Sequence, residues 1–340
     1  MGNRRLIQNF TILLLFSTLF LGSCKKNIDK DTDKQQKIDI KVPNFNADRA
    51  YDFIAKQVSF GPRVPGTNAH TLCGNWLINK LDSLADTVYV QTFKARIYTG
   101  EIKEGKNIIA QFNPTLQKRI LLSAHWDSRP YADYDPDPNN HNTPIPGAND
   151  GASGVGILLE LANLLNENSP SIGIDIAFWD IEDWGEPRSV QSSNGEFWCL
   201  GSQYWSRNRL PFNYNANYGI LLDMVGASNA TFYYEGISNE YAPSILKKVW
   251  DIAAKLGYNK YFIPENAAPI TDDHLYLNTI ANIPTIDIIH QDKNSSTGFY
   301  PYWHTMGDDI DKIDKNTLSA VGSVLAYLIY NEKYEIVLYK

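Results

Sequence analysis

The 340-residue sequence predicts a three-layer α/β/α sandwich around a central mixed, mostly parallel sheet. Three observations carry that prediction. Ile120-Leu121-Leu122-Ser123-Ala124 and residues 172–178 are near-continuous apolar runs, the pattern of strands covered by helices on both faces. From Asp48 onward such runs alternate with helix-period segments through short loops. Ionisable residues follow the strands, where open α/β sheets collect their ligands.

The elements follow in chain order. Asn3-Arg4-Arg5 is a basic leader, and residues 10–21 are an apolar run of signal-peptide length, short for a membrane span. Residues 1–23 are therefore expected to be cleaved. Leu21-Gly22-Ser23-Cys24 has the pattern of a lipoprotein box, which makes Cys24 the lipidated first residue of an exported chain anchored to a membrane, on the periplasmic side. The plainer reading is an ordinary secretory signal with an incidental cysteine. Residues 24–43 include a Lys/Asp/Gln-rich stretch too polar to bury a core, and read as a tether. No internal repeat or second linker interrupts 44–340, so this span reads as a single catalytic domain. Within it, helices are expected near 48–58, 68–84, 151–166, 239–256 and 315–330. Strands are expected near 106–112, 118–125, 172–180, 218–224, 231–235 and 284–290.

Composition excludes some functions. With 43% hydrophobic and 20% charged residues the chain is globular, and its formal charge of -7, more negative once Arg4 and Arg5 leave, argues against a nucleic-acid partner. Beyond Cys24 only Cys73 and Cys199 remain. In an oxidising compartment they could pair, but each also suits a small buried position, the preferred reading.

The chemistry lies after the strands. His125 and Asp127 follow the second, Asp180, Glu182 and Asp183 the third, Asp223 the next and His290 the last, while Asp150 precedes a helix and His304 sits in a late loop. One acid at a strand end is usually a cap or turn former. Several together with histidines are zinc-type ligands, and Asp150, Asp183 and His304 would supply three with one position open. In the Glu182-Asp183 pair, one carboxylate can hold metal while its neighbour moves protons. There is no His-Glu-x-x-His helix, no Gly-x-Ser-x-Gly elbow and no Gly-x-x-x-x-Gly-Lys-Ser/Thr phosphate loop. Gly151-Ala152-Ser153-Gly154-Val155-Gly156 lacks the preceding strand and the glycine spacing of a dinucleotide loop.

Ser123-Ala124-His125-Trp126-Asp127, Gly147 to Gly154, Trp179-Asp180-Ile181-Glu182-Asp183, Leu222-Asp223-Met224-Val225-Gly226, Asp272-Asp273-His274 and Trp303-His304-Thr305-Met306 together resemble the zinc aminopeptidase superfamily, in order. Within it they look most like the animal-type glutaminyl cyclases and their bacterial relatives, from about Phe60 onward. The resemblance implies one catalytic zinc on Asp150, Asp183 and His304, with Glu182, Asp223 and Asp272 in the proton chemistry. It further implies Trp303, Phe299 and Thr271 at a narrow glutamine pocket, with His125 and Asp127 behind the metal site. Taken singly, Trp303 could be a core residue and Asp272 a helix cap. The sequence departs from the animal pattern at Asp183, where Glu is common, and at Thr271, where Gln is frequent. Loops 131–146 and 186–197 are expected to frame the entrance, with Trp184 and Trp198 both candidates for the channel and Trp184 the choice for substrate binding.

The implied reaction is acyl transfer: N-terminal glutamine of a peptide or protein closes to pyroglutamate and releases ammonia, with Glu182 as proton shuttle. Its rival is a zinc aminopeptidase using His125, Asp150, Asp183, Asp223 and His304 for two metals, and a more distant one is a non-catalytic binding lipoprotein. The expected species is a monomer.

Overall fold

A computed structural model describes residues 42–190 and 196–332. The expected signal segment, Cys24, most of the expected tether and part of the 186–197 loop lie outside these described residues. A six-stranded sheet runs in the order β1 (Thr87–Arg96), β2 (Ile102–Phe112), β4 (Gly173–Trp179), β3 (Arg119–His125), β5 (Tyr218–Asp223), β8 (Thr285–Ile289). The last four are mutually parallel, and β2 is antiparallel to both β1 and β4. A separate parallel pair joins β6 (Phe232–Tyr234) to β7 (Phe262–Asn266).

Alternate strand residues feed two cores. Ile120, Leu122, Ala124, Ile174 and Ile176 pack with α1 (Ala47–Val58), α2 (Asn68–Asp82), α3 (Ala152–Glu167) and α8 (Lys315–Asn331). Leu121, Ala177 and Trp179 face Trp205 of α4 (Leu200–Arg207) and Leu277 of α7 (Asp273–Thr279). Burial on both faces explains why the central strands read as unbroken apolar runs. Helix α3 lies close on the sheet: a Cβ on Gly154 would come 2.5 Å from the Leu222 carbonyl oxygen. That closeness brings the start of α3, and Asp150 just ahead of it, over the strand ends.

The three-layer fold and the mixed sheet match expectation, with differences of physical origin. Strand β1 has no apolar run because it is a half-solvated edge, only Phe93 of it being buried. The helix expected over 239–256 is two: α5 (Gly236–Tyr241) ends at Ala242, and Pro243 starts α6 (Pro243–Lys255) at a position where its missing N–H costs nothing. Helix α4 is short and amphipathic, and β7 is mostly exposed. Both escape a periodicity reading. Cys73 and Cys199 are free, buried thiols, so the packing reading holds over pairing.

Candidate active site

Local backbone geometry brings the acidic and imidazole groups to one rim. After β4 the chain turns sharply at Ile181 (φ 54°), after β5 at Met224 (φ 49°), and His304 itself sits at φ 54°. Left-handed conformations are uncommon for such residues and cost about 1–3 kcal/mol each, so the surroundings must hold them. Asp127 does so for the first turn, its carboxylate accepting the Glu182 N–H at 3.1 Å and the Asp183 N–H at 3.3 Å. Gly151, at φ 89°, passes so near the chain just after β3 that a Cβ would sit 2.4 Å from the Asp127 carbonyl oxygen, a contact only glycine avoids. Two residues that sequence reasoning passed over brace this loop. Arg63 donates to the Gly147 carbonyl at 2.6 Å, and Asp308 accepts the Asn149 and Asp150 N–H groups at 2.9 and 3.1 Å.

Asp150, Asp183 and His304 converge, their potential ligand atoms all within 4.8 Å of one another. His304 Nε2 stands 3.3 Å from Asp183 Oδ1 and 3.7 Å from Asp150 Oδ2. All three are buried, and Asp183 Oδ2 has no hydrogen-bond partner among the described residues. Two buried carboxylates around one imidazole, with an unsatisfied acceptor oxygen, fit a divalent cation better than they fit each other. Such a set can supply the three protein ligands that a catalytic zinc site needs.

A second group shares Asp150. His125 Nε2 lies 3.1 Å from Asp150 Oδ1 and 3.3 Å from Asp223 Oδ1. Here an imidazole N–H can satisfy the carboxylates without a second ion. His125 Nδ1 is 3.5 Å from Asp127 Oδ1, beyond a good hydrogen bond. The contact of Asp127 with His125 is thus weaker than its grip on the 182–183 backbone. Arg129 was also missed: it donates to Asp183 Oδ1 at 3.2 Å and pairs with Asp133 at 2.8 Å, and Asp133 faces His304 Nδ1 at 3.6 Å. Orientation of ligands by such partners is general at metal sites. Their signal, a charged pair four residues apart beside a buried turn, is too common to single out.

Glu182 is buried, with Oε2 3.8 Å from His125 Nδ1. Burial pushes its carboxyl pKa well above the ordinary value; His125 opposes this and the charges of Asp183 and Asp272 add to it. Asp223 is pushed up to about 7, by burial first and by the neighbouring Asp272 and Asp150 charges, against its bond to His125. Asp272 Oδ1 caps α7, accepting the Asp273 N–H, while Oδ2 is buried without a hydrogen-bond partner among the described residues. The capping and the functional readings of Asp272 therefore coexist.

Above these groups lies a small cavity of about 60 Å³. Its walls are Trp198, Thr271, Phe299 and Trp303, together with Met224, Ile270 and Ile289, which sequence reasoning did not name. Trp303 stacks on His304 with ring centroids 3.7 Å apart, and Phe299 lies 4.5 Å from Trp303. Trp198 is parallel to the His304 ring within 5°. Trp184 does not reach the cavity: it is buried among Val64, Phe93, Ile97 and Ile181, under the Lys103 ammonium. It is a core residue, and Trp198 takes its expected place. Among the described residues, loop 131–146 contributes no wall of the cavity and instead braces the His304 turn. The Met306 N–H donates to Asp135 Oδ2 at 2.9 Å and the Tyr134 N–H to the His304 carbonyl at 3.2 Å, so this loop clamps the His304 turn.

His290, after β8, is buried with Nδ1 unpartnered among the described residues. Burial lowers its pKa to about 4. The unfolded ring takes up a proton near pH ~6.5. The native state therefore loses stability as pH falls from about 6.5 towards about 4, by up to about 3 kcal/mol, with no effect above that window. In His290→Asn the drop in Tm between about pH 7 and about pH 5 should be smaller than in the unmodified chain. Equal drops would remove His290 as the cause.

The fold and the rim of Asp, Glu and His at parallel strand ends define a zinc-exopeptidase-like α/β enzyme scaffold. The chain belongs to peptidase family M28, whose model matches residues 107–329. It is 54% identical to Bacteroides thetaiotaomicron glutaminyl cyclase, solved bound to N-acetylhistamine, over 86% of this chain and 100% of that one, with a TM-score of 0.84. A Zn-dependent exopeptidase from Parabacteroides distasonis is 51% identical over 86% and 100%, with a TM-score of 0.85. A glutaminyl-peptide cyclotransferase of Drosophila melanogaster is 23% identical over 95% of this chain and 96% of the relative.

Proposed function

We propose that this chain is a glutaminyl-peptide cyclotransferase, converting N-terminal glutamine of peptides and proteins to pyroglutamate. The observation that carries it is the cavity: about 60 Å³ between Trp198, Trp303 and Phe299, directly over Glu182 and the Asp150–Asp183–His304 group. The inner cavity suits one flat carboxamide side chain, and a wider pocket of about 440 Å³ that shares Trp198, Ile270, Thr271, Phe299 and Trp303 has room for the rest of the peptide. The similar cyclases support the same reading. One zinc, held by Asp150, Asp183 and His304, would supply Lewis-acid polarisation of the carboxamide. Glu182 accepts a proton from the peptide's α-amine as its nitrogen bonds to the side-chain carbonyl carbon, then returns a proton to the departing nitrogen, so that the carbon–nitrogen bond breaks and ammonia leaves. Asp223 and Asp272 hold the proton balance around it, since crowded carboxylates disfavour full ionisation. Trp303, Phe299, Thr271 and Trp198 exclude water, which favours internal attack over hydrolysis. An ammonia-release assay with a glutaminyl peptide tests this; activity on leucyl but not glutaminyl peptides would overturn it. The shared His125–Asp150–Asp223 group is what favours the second reading, a two-metal aminopeptidase.

Trp198→Ala is expected to raise KM about tenfold with a smaller change in kcat, because the wall binds ground and transition states alike. An unchanged KM would remove Trp198 from the pocket. The reading includes export and a lipid anchor at Cys24, and a monomeric enzyme; metabolic lipid labelling that persists in Cys24→Ser would defeat the anchor, and light scattering at twice the chain mass the monomer.

A further inference from the structure

We infer that Cys199 is a positioning residue for the cyclisation, its thiol fixing one oxygen of Glu182 so that the other faces the substrate; this rests on the cyclase reading. Cys199 Sγ lies 3.2 Å from Glu182 Oε1, and the side chain is fully buried. The two residues are also joined through their backbones. The Cys199 N–H donates to the Glu182 carbonyl at 2.8 Å and the Leu200 N–H to the Ile181 carbonyl at 2.9 Å. Ile181 and Cys199 both adopt left-handed φ, 54° and 57°, so each turn is shaped to meet the other. A small thiol has sequence readings as packing or pairing, and neither accounts for its aim at the one acid assigned to proton transfer.

Polarity sets the direction of the bond. A carboxylate only accepts, and the thiol, kept protonated by burial and by the neighbouring Glu182 and Asp273 charges, donates. Glu182 has a competing neighbour: side-chain atoms of Glu182, Cys199 and Asp272 lie within 4.8 Å of one another, and Asp272 Oδ2 is buried without a hydrogen-bond partner among the described residues. Without a donor on Oε1, the Glu182 carboxyl is free to turn and share a proton with Asp272, and is then misplaced for the amine. With the thiol in place, Oε2 is left for the substrate.

Cys199→Ala should lower kcat for a glutaminyl peptide roughly tenfold, with KM and zinc content unchanged. Cys199→Ser, which restores a donor, should stay within about twofold of the unmodified enzyme. An infrared spectrum of the full chain should show a downshifted S–H stretch that persists when Cys24→Ser and Cys73→Ser are combined and therefore belongs to Cys199; this reading does not depend on either Cys199 variant folding. Equal kcat in Cys199→Ala and unmodified enzyme, equal impairment in the Ala and Ser variants, or an unshifted S–H stretch would each overturn the assignment. Unmodified enzyme that releases no ammonia would instead strike the cyclase reading itself.

Discussion

Glu182→Gln is expected to lower kcat for cyclisation by about 10³-fold while leaving zinc binding and fold intact. The size follows from the absence of a substitute. Asp272 is tied to the cap of α7, Asp223 to His125, and Asp183 to the metal group, so none of these three carboxyls is free to take the position of Glu182. Glutamine keeps the shape but cannot carry the proton. Because Glu182 is crowded by Asp183 and Asp272, neutralising it should not destabilise the native state and can raise Tm. Residual turnover within about tenfold of the unmodified enzyme would mean that another group moves the proton.

His304→Ala is expected to weaken zinc binding by more than about 10²-fold, with activity lost in parallel. Two effects add here. One of the three proposed ligands disappears, and Asp150 and Asp183 are left facing each other in a buried site, offset by His125 beside Asp150 and Arg129 beside Asp183. For the same reason, chelation of the unmodified enzyme should lower Tm, and added zinc should restore it. Zinc content after dialysis measures the first effect. His125→Ala sorts the two functional readings: one zinc retained agrees with the cyclase, and a fall from two to one agrees with the aminopeptidase.

The central strands, the helices over them and the residues of the rim were legible because they are local signals: apolar runs, helical period, acids and histidines placed directly after strands. Asp150, Asp183, His304, Glu182, Asp223 and Asp272 are all brought together. What escaped depends on contacts distant in sequence. Trp184 and Trp198 look equivalent along the chain, yet the turn at Ile181 buries the first under Lys103, while the second, just before the left-handed Cys199, lies against His304. Arg63, Asp133 and Asp308 act by holding backbone and ligands from 84, 171 and 158 residues away, and no local pattern marks them. Cys199 was read as packing because its partner, Glu182, is 17 residues distant. Edge strands β1 and β7 escaped because solvent on one side dilutes the apolar signal that reveals buried strands.

Mass spectrometry of a glutaminyl and a leucyl peptide, incubated together with the zinc-loaded chain, addresses the reaction most directly. Loss of one ammonia from the glutaminyl peptide, with the leucyl peptide intact, is the expected result. Release of a free N-terminal residue from either peptide, without loss of ammonia, would contradict the cyclase and make the His125–Asp150–Asp223 group the second metal site of a peptidase.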